Sequence, residues 1–341
     1  MKRSTLAVDV GGTWMRSAVM DGGKPVLPLK KEAPGFKFHR APLADLQDMF
    51  LREMSSLTDH YREEGFSISR LALGFPGPMK DGYVYGAATL WGEMATPYPL
   101  LDRLKTELGK KGVTQVFAVN DVTAMGWSYG TDENRTFCII TVSSGIGNKI
   151  FHDGRVLAGK RAIGGEMGHW YCGDAYREYV CDCGGNGHLG AVSSGRGAEK
   201  IAEGLKREYM GVSDMASLEH VTAEDIVQGL RKGDALALKT LNTGVVPLAG
   251  AMSLINLATG VDSFIIVGGY ALSAGDIYAA ALRKSLDAMQ FHGHFEDRSE
   301  GISVTLGADG DYRALEGLYR MAENEAGNSR AGLAAAWKEV V

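Results

Sequence analysis

The feature that most constrains the fold of this chain is an internal repeat. Near the N-terminus, Leu6-Ala7-Val8-Asp9-Val10 reads as a strand, Gly11-Gly12-Thr13 as a glycine turn and Met15 to Met20 as a second strand. Asp21-Gly22-Gly23 then turns the chain into a third strand, Pro25 to Leu29. About 130 residues later the order returns: Phe137 to Val142, the turn Ser143-Ser144-Gly145-Ile146-Gly147, Lys149-Ile150-Phe151, the turn His152-Asp153-Gly154, and Val156-Leu157. Short apolar runs broken by glycine turns are meander strands, and so long a period means a duplicated domain rather than a solenoid. A length of 341 residues suits two domains of about 150 each, and 45% hydrophobic residues suffice for two cores.

Each meander leads into alternating helices and strands. Apolar residues at Leu43, Leu46, Met49, Phe50, Met54 and Leu57 recur every three or four positions, which predicts a helix over 42–64. A strand at Leu71 to Phe75 stops at Pro76-Gly77-Pro78. A helix over 100–111 and a strand at Gln115 to Val119 deliver Asn120-Asp121 into a further helix. After the repeat come helices near 191–209, 223–233 and 236–259, a buried strand Phe264 to Val267 ending at Gly268-Gly269, a helix near 274–290, a strand near 302–306 and a last helix from about 309. The reading is an α/β protein of two lobes. One spans 1–120, with the C-terminal helix, about 309–341, packing back on it; the other spans 121–308. A cleft between such lobes is where ligands bind.

Composition removes other functions. With 36 Lys+Arg against 41 Asp+Glu the net charge is −5, without the basic surface that neutralises nucleic-acid phosphates. Met1 to Asp9 runs straight into a strand, so no signal-peptide pattern is expected. No uninterrupted apolar run approaches the roughly 18 residues of a membrane helix. A cytoplasmic protein with no nucleic-acid or membrane partner is expected. Of the four cysteines, Cys172, Cys181 and Cys183 lie close together, which in such a chain favours metal binding over disulfides.

Three groups of residues carry chemistry. Glycines at Gly11, Gly12, Gly145 and Gly147 let backbone N–H groups approach an oxyanion that a Cβ would obstruct; each turn read singly is equally an ordinary hairpin. Asp9, ending the first strand, is placed to hold Mg²⁺ through its waters, and the paired turns then make a nucleotide-phosphate clamp. Gly268 and Gly269 allow either a close-packed crossover or contact with an adenosine. Asn120-Asp121 reads as a general base with a hydrogen-bonding neighbour, or as a helix cap. His169, Cys181, Cys183 and His188, spaced H-x11-C-x-C-x4-H, are ligands that tetrahedral Zn²⁺ accepts. Cys172 is an alternative to either histidine.

Asp9-x-Gly-Gly-Thr13, Asn120-Asp121, Ser144-Gly-Ile-Gly147, Gly165-Glu166-Met167-Gly168-His169, the cysteine cluster and Ile265-Ile-Val-Gly-Gly269 stand in the order of the ROK family (repressor, open reading frame, kinase), which this chain resembles over about residues 5–320. The resemblance implies duplicated ribonuclease-H-like lobes of the actin-like ATPase fold and an ATP- and Mg²⁺-dependent sugar kinase that is a homodimer. It implies Asp121 as the base. Substrate contacts are implied at Asn120, Glu166, His169, Thr89 and Gly77, and nucleotide contacts at Asp9, Gly11, Gly12, Thr13, Ser144, Gly145, Gly147, Gly268 and Gly269. A structural Zn²⁺ in a loop over about 169–188 is implied as well.

The chain departs from the family pattern at three places. The family ends its metal motif in a third cysteine where this chain has His188. Its hexokinases carry Pro-Asn-Leu where this chain has Ala88-Thr89-Leu90, and a glutamate where this chain has Gly190. An amide and a carboxylate that read sugar hydroxyls are therefore missing, which points the acceptor toward an amino sugar, a modified sugar or a cyclitol. Trp14, Trp91 and Trp170 are either ring-stacking groups or core filler.

Overall fold

The computed structural model describes residues 3–36, 41–130, 135–159, 164–289, 301–308 and 310–330. It divides into two units, Met1–Glu133 with Gly154–Ile163 and Gly310–Val341, and Asn134–Asp153 with Gly164–Asp309.

The first unit opens with β1 (Arg3–Val10) and β2 (Met15–Asp21), followed by β3 (Lys24–Pro25) and β4 (Lys30–Glu32). The expected third strand is thus two short strands, both pairing with β2. Helix α1 (Leu43–Glu63), β5 (Ser67–Phe75), the hairpin β6 (Met79–Lys80) and β7 (Tyr83–Val84), α2 (Leu100–Gly109), β8 (Gln115–Asn120) and α3 (Asp121–Trp127) follow. The sheet runs β3-β2-β1-β5-β8, antiparallel at β1–β2 and parallel at β1–β5 and β5–β8.

The second unit repeats the plan. It contains β9 (Phe137–Val142) and β10 (Ile146–His152), an antiparallel pair. The short β11 (Arg155–Val156) lies in the segment that falls with the first unit. Then come α4 (Leu189–Ser193), α5 (Gly195–Leu205), α6 (Ala223–Lys232), α7 (Ala235–Thr259), β12 (Ser263–Val267), α8 (Gly269–Ala274), α9 (Asp276–Asp287) and β13 (Ser303–Leu306). Strands β9, β12 and β13 pair in parallel. The helix expected near 274–290 is α9; Gly275, at φ +61°, separates it from α8, an additional short helix that starts directly after Gly268. Among the described residues α7 alone is long and apolar enough to cross a membrane, and 44% of its most apolar window is buried. Its Leu241, Val245, Leu248 and Met252 sit in the core of this unit.

The chain ends with α10 (Arg313–Arg330), which belongs to the first unit. Strand alternation gives the first sheet two unlike faces. Leu6, Val8, Val10, Leu71, Leu73 and Phe75 bury against α1 and α2, through Phe50, Met54, Leu57 and Leu104. The other face carries Ala7, Ala18 and Ala72, and packs on Ala124 of α3 and on Leu315, Leu318 and Met321 of α10. Small side chains let those helices lie close to the sheet. Gly317 lets them lie close to each other, since a Cβ there would stand 1.9 Å from the Ala124 carbonyl oxygen. The lobe boundary read at 120/121 therefore moves to 133/134: α3 is clasped by α10, and Arg320 donates to the Ser128 carbonyl at 2.8 Å. Residues 331–341 of the expected C-terminal helix lie outside the described residues.

Replacing Gly317 by valine forces these helices apart. Urea denaturation of G317V should show a loss of about 1–3 kcal/mol, the usual cost of overpacking, and unchanged stability would contradict so close a crossing.

Candidate active site

Asp9 and Asp121 lie in the same unit, Asp121 at the start of the helix whose Ala124 packs on the small-residue face of the sheet. Asp9 alternates with Val8 and Val10, so its side chain shares the face of Ala7 and is only 11% exposed. Gly74 of the neighbouring strand makes room: a Cβ there would come to 3.3 Å from Asp9 Oδ1 and 3.4 Å from the Ala124 Cβ of α3. Arg16, opposite Asp9 in β2, approaches its Oδ2 at 3.5 Å and bonds Asp311 more closely at 2.7 Å. Burial pushes the Asp9 carboxyl up to about 6, with Arg16 pulling the other way.

The turn Gly11-Gly12-Thr13 follows directly. Gly11 N donates to the Trp14 carbonyl at 2.9 Å. A Cβ on Gly12 would meet the Thr89 side chain at 3.4 Å, so the structure brings Thr89 to this turn. Trp14 is exposed, with Lys31 over its ring at 5.3 Å. Trp91 is core: it is 2% exposed and packs on Phe50, Phe75 and Tyr98.

The strand β8 ends at Asn120 and α3 starts at Asp121. Asn120 is the helix cap, its Oδ1 accepting from Val122 N at 3.0 Å and Thr123 N at 3.3 Å. Its Nδ2 donates to the Gly77 carbonyl at 3.0 Å and to Asp121 Oδ1 at 2.9 Å. The Asn120 amide is thus hydrogen-bonded within the protein at both its oxygen and its nitrogen. It orients Asp121, whose Oδ1 also accepts from Val122 N at 2.9 Å. Gly77, at φ +118°, is tied to Asn120 and presses on Gly86, whose carbonyl oxygen a Cβ would approach to 2.0 Å. A carboxylate at a helix N-terminus is stabilised in its charged form by the backbone dipoles.

In the second unit the turn comprises Ser143, Ser144 and Gly145, with Ser143 N donating to the Gly145 carbonyl at 3.0 Å. Gly147 belongs to β10, paired with Thr141, because the strand starts earlier than the glycines suggested. Beside this turn is a cavity of about 470 Å³ lined by Ser143, Ser144, Arg196, Tyr270, Gly269 and Gln228, among others. Gly269 faces the cavity, whereas Gly268, at φ +98°, is a packing residue whose Cβ would stand 2.6 Å from the Val142 carbonyl oxygen. Arg196 donates to the Ser144 carbonyl at 2.7 Å and pairs with Asp182 at 2.5 Å. Arg196 and Gln228 were missed in sequence; the only signal was Gly195-Arg196-Gly197 opening a helix.

Residues 164–169 carry the other candidates. Gly168 lies against β10, where a Cβ would stand 2.3 Å from the Ile146 carbonyl oxygen. Glu166 is half-buried; burial raises its carboxyl, and Lys149 lowers it again from 3.8 Å. His169 ends a short helical turn, Met167–His169. Gly190 of α4 sits 3.2 Å, measured from an ideal Cβ, from the Gly168 carbonyl oxygen, so a longer side chain there would crowd this turn.

The ligand atoms of His169, Cys181, Cys183 and His188 all lie within 4.8 Å of one another. Cys183 Sγ is 3.2 Å from His188 Nδ1, and Cys181 Sγ is 3.8 Å from His169 Nδ1. Two thiols and two imidazoles at this spacing suit tetrahedral Zn²⁺, whose bonds are about 2.0–2.3 Å long. Glycines make the loop possible: Gly184 has φ +84°, and a Cβ on Gly185 would stand 2.3 Å from the His188 ring. Cys172 is outside this group. Its thiol lies 3.7 Å from the Trp170 carbonyl, and burial pushes it up to about 12.

Each unit thus carries an antiparallel hairpin followed by parallel strands and helices, the duplicated ribonuclease-H-like plan of the actin-like ATPase fold. A model of the ROK family matches residues 5–324, and the chain belongs to that family. A C(7)-cyclitol 7-kinase of Streptomyces hygroscopicus subsp. limoneus is 35% identical over 96% of this chain and 95% of its own length. A glucokinase of Aeropyrum pernix is 24% identical over 93% of this chain and 96% of its own. The crystal structure of a ROK family glucokinase from Streptomyces griseus in complex with glucose and AMPPNP is similar in fold. Its TM-score is 0.73 at 20% identity, covering 94% of this chain and 99% of that one.

Two outcomes are expected. Between about pH 4 and 6, folded metal-free protein holds on Asp9 a proton that the unfolded chain has released, so stability falls as pH rises through that window. D9N should flatten that part of a melting-temperature profile; an unaltered profile would contradict the raised Asp9. C183A should lose most bound zinc by elemental analysis, while C172A keeps it.

Proposed function

We propose that this chain is a carbohydrate kinase that transfers the γ-phosphoryl group of ATP to a hydroxyl of a sugar-like acceptor, a C7 cyclitol. The observation that carries the chemistry is the Asn120–Asp121 junction, where a capped helix start fixes a carboxylate by bonds to Asn120 Nδ2 and Val122 N. The acceptor class is supported by 35% identity over nearly the whole chain to a C(7)-cyclitol 7-kinase. It agrees with Thr89 and Gly190 standing where hexokinases read glucose.

Phosphoryl transfer needs alignment, charge neutralisation and a destination for the proton. The acceptor oxygen bonds to the γ-phosphorus as the bond to the β-phosphate oxygen breaks and ADP leaves; Asp121 accepts the hydroxyl proton. Asp9 would hold Mg²⁺, which would supply charge neutralisation at the phosphates. The backbone of Gly11, Gly12, Thr13, Ser144 and Gly145 contacts the phosphates, and the cavity bounded by Arg196, Gly269 and Tyr270 takes the nucleoside. Glu166, His169 and Thr89 contact acceptor hydroxyls. His169, Cys181, Cys183 and His188 would hold Zn²⁺, which would brace the loop that presents His169. The family resemblance extends the proposal to a cytoplasmic homodimer, which sedimentation would test.

An ADP-release assay across a C7 cyclitol, glucose and N-acetylmannosamine tests the reading. The cyclitol should give a kcat/KM at least tenfold above either sugar, and release with none of them would refute a kinase. D121N should lower kcat by about 10²–10⁴, the range for a lost general base, while binding AMPPNP as wild type does. A kcat within tenfold of wild type would remove Asp121 from that role.

A further inference from the structure

Among the described residues, Lys149 is the most buried basic side chain, 5% exposed within β10. An ammonium is taken out of water at a cost unless partners compensate it. Two of its partners come from one short segment. Lys149 Nζ donates to the Gly164 carbonyl at 2.6 Å and stands 3.8 Å from Glu166 Oε1.

The residue before it grips the same segment. Asn148 N donates to the Gly165 carbonyl at 3.3 Å, and Asn148 Oδ1 accepts from Met167 N at 3.2 Å. Two consecutive strand residues thus hold the backbone on both sides of Glu166. Gly165, at φ +92°, lies so close that a Cβ there would stand 2.8 Å from Lys149 Cδ and Nζ. The lysine stem and the glycine are in mutual contact, which fixes the distance from the ammonium to the Glu166 carboxylate. That distance exceeds a hydrogen bond yet lies well inside Coulomb range. The Glu166 side chain is 33% exposed, so it is steered by the charge without being sealed off from a ligand.

A lysine needed only to satisfy the Gly164 carbonyl would not require a cation, since any neutral donor serves an oxygen acceptor. What the charge adds is a fixed attraction for the carboxylate beside it. We propose that Lys149 is a positioning residue that aims the Glu166 carboxylate as a hydrogen-bond acceptor for hydroxyls of a polyol, and so selects polyhydroxylated acceptors. This rests on the reading of Glu166 as an acceptor contact.

A double-mutant cycle tests it, because two residues acting through one contact lose their effects together. Steady-state ADP release is measured for wild type, K149M, E166Q and K149M/E166Q, and for K149Q in place of K149M. The acceptor is whichever of a C7 cyclitol, glucose or N-acetylmannosamine wild type uses best. K149M should raise the acceptor KM about tenfold, with KM for ATP unchanged and kcat within about threefold of wild type. In the E166Q background the same change should alter the acceptor KM less than twofold. A tenfold rise in both backgrounds, a rise in KM for ATP of similar size, or an acceptor KM within twofold of wild type would each overturn the positioning role. So would failure of both K149M and K149Q to fold, which would make Lys149 a structural residue. If E166Q alone leaves the acceptor KM unchanged, the Glu166 reading is what fails.

Discussion

The first unit depends on the closeness with which α3 and α10 approach its sheet. Ala7, Ala18 and Ala72 give the sheet a shallow face, and Gly317 removes the last obstacle between the helices. Larger residues at these positions would lift α3, and with it Asp121, away from Asp9. Gly74 serves the same geometry from inside the sheet, filling none of the space in front of Asp9. The arrangement has an energetic cost. Asp9 is buried with only a long contact to Arg16, which is why its carboxyl holds its proton to about 6. A carboxylate buried in this way has the chemistry to take up a cationic partner, the role proposed for it toward a hydrated divalent cation.

The second unit obeys the same constraint with glycine in place of alanine. Gly165 and Gly168 each bring a backbone or side-chain atom closer than a Cβ would tolerate, and at Gly190 a Cβ would stand a tight 3.2 Å from the Gly168 carbonyl oxygen, so Glu166 and His169 are held against β10 and α4 by close contact. Lys149 and Asn148 add hydrogen bonds to that contact. The clustered side chains of His169, Cys181, Cys183 and His188 then close the loop that follows. Positioning comes before chemistry throughout, as expected for phosphoryl transfer, in which the protein mainly aligns groups and stabilises charge.

Much of this was legible in the sequence because its signals are local. The duplicated hairpins, the amphipathic α1, the Asn-Asp cap and the cysteine and histidine spacing each occupy a few neighbouring residues. What escaped depends on distant packing. The assignment of α3 to the first unit follows from α10, whose Arg320 bonds Ser128 across 192 residues of sequence. The commitment of the Asn120 amide depends on the Gly77 carbonyl, 43 residues away. Arg196, Gln228 and Tyr270 meet at one cavity from three helices, and no spacing rule joins them. Lys149 reads as an ordinary charged strand residue until the segment 164–167 is laid over it. Gly147 misled for the opposite reason: a local glycine pattern marked a turn that hydrogen bonding gave to a strand.

In the proposed mechanism the junction of β8 and α3 aims one carboxylate at the hydroxyl that is phosphorylated. A crystal structure of the chain with AMPPNP, Mg²⁺ and a C7 cyclitol measures this directly. One acceptor hydroxyl is expected at hydrogen-bond distance, about 2.6–3.2 Å, from an Asp121 carboxylate oxygen, with the Asn120 cap intact. An acceptor whose hydroxyl nearest the γ-phosphate is held by another residue, with Asp121 beyond contact, would contradict it.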